Sequence, residues 1–159
     1  MIQRFLDPAV LAGISSLDLV AKTIQVGVTP VVISDEIQWV STDEWTSQRQ
    51  QFASQIDQWR RDWESRDTAR YLSHYSKEFE SDDQDYAGWA AHKRRVNGSK
   101  AWIKVGLSGL AMVRYPREKF VVVSFDQDYR SSNLHNQMRK RQYWAKEGTR
   151  WKILYEGGV

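Results

Sequence analysis

The sequence predicts an α+β domain in which three helices cover one face of an antiparallel sheet. Three observations predict it. Residues 100–155 read as four successive strands, dense in Val, Ile, Phe, Tyr and Trp. The segments between them are short, so neighbouring strands should pair antiparallel. The stretch before them carries helical periodicity with large apolar residues on one stripe, and helices segregated before a run of strands belong to the α+β class.

The strands come first, because the rest of the chain is organised around them. Ala101–Tyr115 is the first, with Gly106 and Gly109 fitting a bend or bulge inside it. Lys119–Arg130 is the second, centred on Phe120-Val121-Val122-Val123-Ser124-Phe125. Gln137–Ala145 is the third and Arg150–Glu156 the last. Tyr115-Pro116-Arg117-Glu118 has Pro at the second turn position, and Glu147-Gly148 supplies a residue that tolerates positive φ.

The helices that cover this sheet lie upstream. Ser41-Thr42-Asp43-Glu44 is a capping-box pattern, and a long helix should run from it to about Arg66. Trp45, Phe52, Ile56, Trp59 and Trp63 make one stripe, and Arg49, Gln50, Asp57, Arg60, Arg61 and Glu64 the opposite face. Asp67 or Thr68 caps a second, shorter helix through Tyr71, Leu72 and Tyr75. Ser81-Asp82-Asp83-Gln84-Asp85 can cap a third, which carries Tyr86, Trp89, Ala90, Lys93 and Val96. Asn97-Gly98 is its expected stop.

Residues 1–40 read as an αβ arm preceding the main domain. Leu11, Ile14, Leu17, Val20 and Ile24 are spaced as on a helix, Asp7-Pro8 is a good start for it, and Val28–Ile33 reads as a short buried strand.

Composition limits the function classes. At 159 residues the chain is long enough to bury a real core, and 27% charged with 41% hydrophobic residues marks it as globular. A net charge of +3 does not argue for nucleic acid. The absence of Cys excludes disulfides, thiolate metal sites and a Cys nucleophile. No apolar run approaches the roughly 20 residues needed to span a bilayer. Arg4, Asp7, Asp18 and Lys22 interrupt any apolar core at the N-terminus, so no signal peptide is expected and the chain made alone would be cytoplasmic. The three His residues, at 74, 92 and 135, lack metal-ligand spacing, and no glycine-rich phosphate loop is present. No cofactor is expected.

The binding chemistry is concentrated in aromatic and basic residues. The 8 Trp and 7 Tyr are a high count; such rings can be core, but they also build pocket walls and sugar platforms. On the second strand the row Val121, Val123, Phe125 turns polar at Gln127 and Tyr129, as a pocket mouth requires. Arg139, Arg141 and Tyr143 share one face of the third strand; Lys140, Gln142 and Trp144 share the other. His92-Lys93-Arg94-Arg95 and Arg139-Lys140-Arg141 are basic clusters with aromatic neighbours, a combination suited to carboxylates and sugar faces. Tyr71, His74, Tyr75, Trp89, Gln127, Tyr129, Arg139, Arg141 and Tyr143 are therefore the candidate pocket or groove residues. Asp126, Asp128 and Tyr129 are the nearest approach to an isomerase-type acid–base site.

Two resemblances sharpen this reading. Trp59-Arg60-Arg61-Asp62-Trp63, Tyr71-Leu72-Ser73-His74-Tyr75 and the closing Trp151-Lys152-Ile153 resemble the NTF2-like superfamily, a cone of sheet wrapped on a long helix, over about Thr42 to Glu156. Ser16-Leu17-Asp18-Leu19 with Gly27-Val28-Thr29-Pro30-Val31-Val32-Ile33 resembles the end of an L,D-transpeptidase catalytic domain, so residues 15–33 mark the first segment and residues 41–159 the NTF2-like domain. Cell-shape proteins of the L,D-transpeptidase and LD-carboxypeptidase type carry such a C-terminal domain. Trp89-Ala90-Ala91-His92-Lys93-Arg94-Arg95-Val96, Gln127-Asp128-Tyr129-Arg130-Ser131 and Lys140-Arg141-Gln142-Tyr143-Trp144 look like it. The resemblance implies a non-catalytic accessory domain at the cell envelope that binds peptidoglycan or positions a linked catalytic domain. Without Cys the chain cannot perform that family's thiolate chemistry. The alternatives are a small-molecule isomerase or dehydratase, and a module that dimerises through its sheet. No nucleic-acid partner is expected.

Overall fold

The computed structural model describes residues 42–81, 84–115 and 119–159. The arm at 1–40, the capping residue Ser41 and the turn at Pro116 lie outside the described residues, as does the side chain of Trp45. Helix α1 spans Thr42–Glu64 and α2 Thr68–Leu72; strand β1 is Tyr75–Ser81 and β2 Gln84–Asp85; helix α3 is Tyr86–Gly98; strands β3 to β6 are Ile103–Tyr115, Phe120–Ser131, His135–Glu147 and Arg150–Gly158. The three helices pack on a curved six-stranded sheet of order β2-β1-β6-β5-β4-β3, an NTF2-like fold.

The stripe on α1 is core. Phe52, Ile56, Trp59 and Trp63 are buried, while the other face is held by Arg60–Asp57 and Arg60–Glu64 ion pairs of 2.9 and 2.8 Å. Exposed pairs at this spacing add only about 0.2–0.5 kcal/mol each, so burial of the stripe holds the helix in place. Glu64 also receives the Val105 backbone N–H at 2.8 Å, which ties the end of α1 to β3.

Asp67 caps α2 and Asp85 caps α3, each through its side chain, to the N–H groups of Arg70 and Gly88. The end of α3 differs from the expectation in kind. The helix stops at Gly98, but its cap is Ser99 in the right-handed region, with no left-handed glycine. Asn97 is held instead by its side chain, which accepts from the Trp63 indole at 3.3 Å.

The second helix is shorter than predicted. It ends at Leu72, and Tyr75 begins a strand. Tyr71, Tyr75 and Phe79 recur every four residues, and four is a period of one face in both a helix and a strand. The long-range partner decides: the Ile153 N–H donates to the His74 carbonyl at 2.8 Å, and β1 runs parallel beside β6.

The β4–β5 ladder is regular from Phe120 opposite Ala145 to Arg130 opposite His135. Alternation therefore holds along it. Val121, Val123, Phe125, Gln127 and Tyr129 all face the helices and are buried, and Lys140, Gln142 and Trp144 join them from β5. The β5–β6 ladder is not regular. Trp144 opposes Ile153 but Tyr143 opposes Tyr155, so Leu154 is an extra residue, a β-bulge. Ile153 and Glu156, three apart, are both buried on the helix side as a result.

Gly109 and Gly148 have φ of +60°, which suits the predicted bend and turn. A Cβ on Gly109 would also come within 2.9 Å of the Asp126 carboxylate, whereas one on Gly106 would meet only ordinary contacts. Gly109→Ala is expected to cost about 1–2 kcal/mol, and Gly106→Ala under about 0.5 kcal/mol, by urea denaturation.

Candidate functional site

The inner face of the sheet carries a buried ionic network. Glu156 from β6 accepts from Lys140 at 2.9 Å on one oxygen, and from the Tyr75 hydroxyl at 2.9 Å and the Gln142 amide at 2.7 Å on the other. The Trp59 indole donates to the Tyr75 oxygen at 3.0 Å, and Tyr71 shares a 2.9 Å hydroxyl contact with Tyr75. Gln142 is fixed in turn by the Trp144 indole at 3.2 Å. The Lys140 and Glu156 side chains are only 7% and 8% exposed, so the pair is desolvated and every donor to it matters.

The electrostatics follow from this geometry. Burial alone would push the Glu156 carboxyl up, but the charges of Lys140 and Lys93 and the donated hydrogen bonds outweigh it and hold the carboxyl below its ordinary range. Burial, with Glu156 nearby, pushes the Tyr71 and Tyr75 hydroxyls well above theirs, so both remain donors.

Helix α3 brings a second cation. Trp89, Lys93 and Asn97 lie four residues apart on its inner side. The Lys93 ammonium sits 5.5 Å from the Trp63 ring and 5.8 Å from the Trp89 ring. Burial, and then repulsion from Lys140, lower its pKa to about 8, with Glu156 opposing the shift. Lys140 contacts the same Trp63 ring at 5.2 Å. Two ammonium groups and one carboxylate leave this interior with a formal excess of one positive charge.

The residues selected from sequence divide into three places. Tyr71, Tyr75, Trp89 and Tyr129 meet in the aromatic interior around Trp59 and Trp63; Tyr129 stacks on Trp63 at 5.1 Å. Gln127 is buried on the same row, and its side-chain carbonyl has no hydrogen-bond partner. A groove of about 530 Å³ along β3, β4 and β5 touches Gln127 and is lined also by Leu107, Ser108, Met138 and the outer-face residues Asp126, Asp128 and Gln137. His74 bonds Asp62 on α1 at 2.7 Å. Arg139, Arg141 and Tyr143 lie on the opposite face of the sheet. There Arg139 pairs with Asp126 at 3.0 Å, and Tyr143 is buried beside Phe120 and Tyr155.

The acid–base cluster does not assemble. Asp126 and Asp128 project to the outer face, where Asp128 is engaged by His135 at 2.6 Å and by Arg130 at 3.1 Å, while Tyr129 points inward. Among the described residues no group of three or more His, Cys, Asp or Glu could hold a metal ion. None of their helices is long and apolar enough to cross a membrane.

Sequence reasoning put Lys93 and Lys140 in its basic clusters but not among the candidate pocket residues, and it gave Gln142 and Glu156 no place in the site. Lys93 is one helical turn from Trp89, and Lys140 and Gln142 share a row with Trp144; both relations could have placed them. Glu156 had no such signal, because alternation from Ile153 puts it outside and only the bulge brings it in.

Comparisons with known proteins agree with this fold. The model of the Cds6 C-terminal NTF2-like domain matches residues 51–157. The chain is similar to Bd1075 of Bdellovibrio bacteriovorus, with 28% identity and a TM-score of 0.69 over 77% of this chain and 44% of that one. It is also similar to a lysine-to-alanine variant of the helical cell shape determining protein Pgp2 from Campylobacter jejuni, with 26% identity and a TM-score of 0.60 over 64% of this chain and 37% of that one. It thus spans less than half the length of either relative. An NTF2-like protein of Pseudomonas putida shares the fold at 13% identity and a TM-score of 0.60, over 72% of this chain and 87% of that one. No curated protein matches. With the family model covering most of its length, the chain belongs to the Cds6 C-terminal NTF2-like domain family.

Proposed function

We propose that this domain is a non-catalytic accessory module of a cell-envelope L,D-transpeptidase-like protein, and that it recognises peptidoglycan through its inner cationic-aromatic site. The observation that carries the reading is Lys93: a cation between two indoles, in an interior with excess positive charge, without a carboxylate of its own. Peptidoglycan offers stem-peptide carboxylates for the cation and glycan faces for the rings. Similarity to a cell shape determining protein supports the envelope setting. Catalysis of the isomerase type is disfavoured, because Glu156 receives hydrogen bonds from three side chains and is held ionised, whereas a general base at neutral pH needs a raised pKa and access to substrate.

A pull-down with purified sacculi over a salt series tests the reading. The parent chain should be retained, less so as salt rises. Lys93→Met should abolish retention, and Arg139→Ala/Arg141→Ala on the outer face should preserve it. No retention of the parent chain overturns wall recognition. Loss only in the double Arg variant would move the site to the outer face.

A further inference from the structure

We propose that one end of the domain docks on an anionic lipid surface, with Trp102 and Leu134 entering the headgroup region and the cations around them facing lipid phosphates. This goes beyond the wall-binding reading and uses none of its residues. Trp59, Trp63, Trp89 and Trp144 are buried, and Trp151 packs against the core. Trp102 instead is 47% exposed, and Leu134 is 52% exposed. Both stand where a strand begins, Trp102 just before β3 and Leu134 just before β5. The platform that carries them is fixed in advance. The Ser132 N–H donates to the Trp102 carbonyl at 3.3 Å, and the Ala101 N–H to the Ser132 hydroxyl at 3.0 Å. The Ser131 N–H donates to the Leu134 carbonyl at 2.8 Å and closes the β4–β5 turn. The Lys100 ammonium bonds the Asn133 side chain, and Arg66 donates to the Lys100 carbonyl at 2.7 Å. The segments around Arg66, Lys100 and Asn133 are thus held together, so little ordering entropy opposes docking.

Cations dominate the surroundings of this platform. Arg66, Arg70, Lys104 and Arg130 are exposed there, with Arg95 in the last turn of α3. The acids of the same end, Asp67 and Asp128, are already paired, with Arg70 at 3.2 Å and with Arg130 at 3.0 Å. Among the described residues Arg66, Arg95 and Lys104 have no carboxylate partner. Apolar side chains ringed by such cations fit a surface that is negative outside and hydrocarbon beneath, and indoles favour that boundary. Other partners fit less well. A sugar face would stack on Trp102 but leave Leu134 and the cations unused. Two apolar side chains on separate loops make too small a centre for a stable protein interface, which buries about 1,200–2,000 Å². Two such side chains also hold a bilayer only weakly by themselves, so docking needs the anionic headgroups, each nearby cation adding about fivefold to partitioning.

The test sediments the full chain with phosphatidylcholine vesicles, with and without about 30% phosphatidylglycerol. The chain should partition onto the anionic vesicles, and about tenfold less onto the neutral ones. Trp102→Ser/Leu134→Ser should lower partitioning onto anionic vesicles about tenfold, as should raising salt from about 50 mM to about 500 mM. Lys93→Met should leave it unchanged, which separates this surface from the inner site. Brominated acyl chains should quench the fluorescence of the parent chain more than that of Trp102→Phe, which keeps an apolar ring in place. An unchanged urea midpoint in each variant excludes misfolding as the cause. No partitioning of the parent chain, equal partitioning onto both vesicles, or an unchanged value in the double serine variant overturns the proposal. Equal quenching in the parent chain and Trp102→Phe overturns it too. So does retention on sacculi that the double serine variant loses while vesicles fail to bind, which would give this surface to glycan instead.

Discussion

Glu156→Ala is expected to destabilise the fold by about 3–5 kcal/mol, measured by urea denaturation at pH 7. The substitution leaves Lys140 charged, buried and without its carboxylate, and it also removes the acceptor of the Tyr75 hydroxyl and the Gln142 amide. The cost is mostly that of stranding these donors. Adding Lys140→Met should therefore recover much of the loss, because an apolar side chain of similar length needs no partner. A loss under about 1 kcal/mol for Glu156→Ala would show that the pair is solvated and the network is not a structural unit. The pH dependence has a definite sign. The Glu156 carboxyl is depressed in the folded state, so its stabilising contribution is present above the unfolded carboxyl range and is lost as pH falls through the folded value. In Glu156→Gln/Lys140→Met this acid-side loss should shrink.

Lys93→Met should act in the opposite direction on stability and against binding. The Lys93 ammonium is lowered from 10.5 to about 8 by burial and by Lys140. Below pH 8 both folded and unfolded chains carry the charge, and the folded state bears its full cost. The cost is relieved as pH rises from about 8 to 10.5, where the folded chain has released the proton and the unfolded chain still holds it. The full shift corresponds to about 3 kcal/mol, and solvent reaching the partly exposed side chain reduces this to about 1–2 kcal/mol. Lys93→Met should thus raise the denaturation midpoint at pH 7 and lose that advantage by pH 10.5. A residue that costs stability where it stands is the pattern of a binding site.

The same titration sets the pH profile of the site. The charged groups that act on this ammonium are Lys140 on β5 and Glu156 on β6, and Tyr71 on α2 and Tyr129 on β4 pack on the Trp63 ring that it faces. Tyr71 and Tyr75 stay neutral donors, and Glu156 stays ionised across this range. Affinity for an anionic ligand should fall about tenfold between pH 7 and pH 9 in the parent chain and stay flat in Lys93→Met. A midpoint somewhat above 8 is consistent, since the bound anion itself favours the ammonium. A flat profile in the parent chain would remove Lys93 from the site.

Much of this architecture was legible in the residues. Phe52, Ile56, Trp59 and Trp63 make a stripe that only a helix lays on one side, and Val121 to Tyr129 alternate as only a half-buried strand does. Local chemistry also marked Asp67 or Thr68, the stretch Ser81 to Asp85 and Gly148 for caps and a turn, because these are satisfied within a few residues; the structure selects Asp67 and Asp85. The aromatic half of the site followed from the same periodicities: Tyr71, Trp89 and Tyr129 point inward wherever their elements pack.

The tertiary structure alone decided the rest. Tyr75 could have extended α2 or begun a strand, and pairing with Ile153 across nearly eighty residues settled it. Arg139 and Lys140 are neighbours of like charge, yet one faces Asp126 and the other Glu156, because the sheet has two faces and only packing says which one meets the helices. Glu156 is the sharpest case. Alternation along its own strand puts it outside; one extra residue at Leu154, fixed by the ladder with β5, turns it into the centre of the buried network. The sequence by itself determined the elements, most of their caps and the apolar faces, because each depends on spacing within a single segment. Which charges are buried together depends on register between distant segments, and that is set only when the sheet closes on the helices.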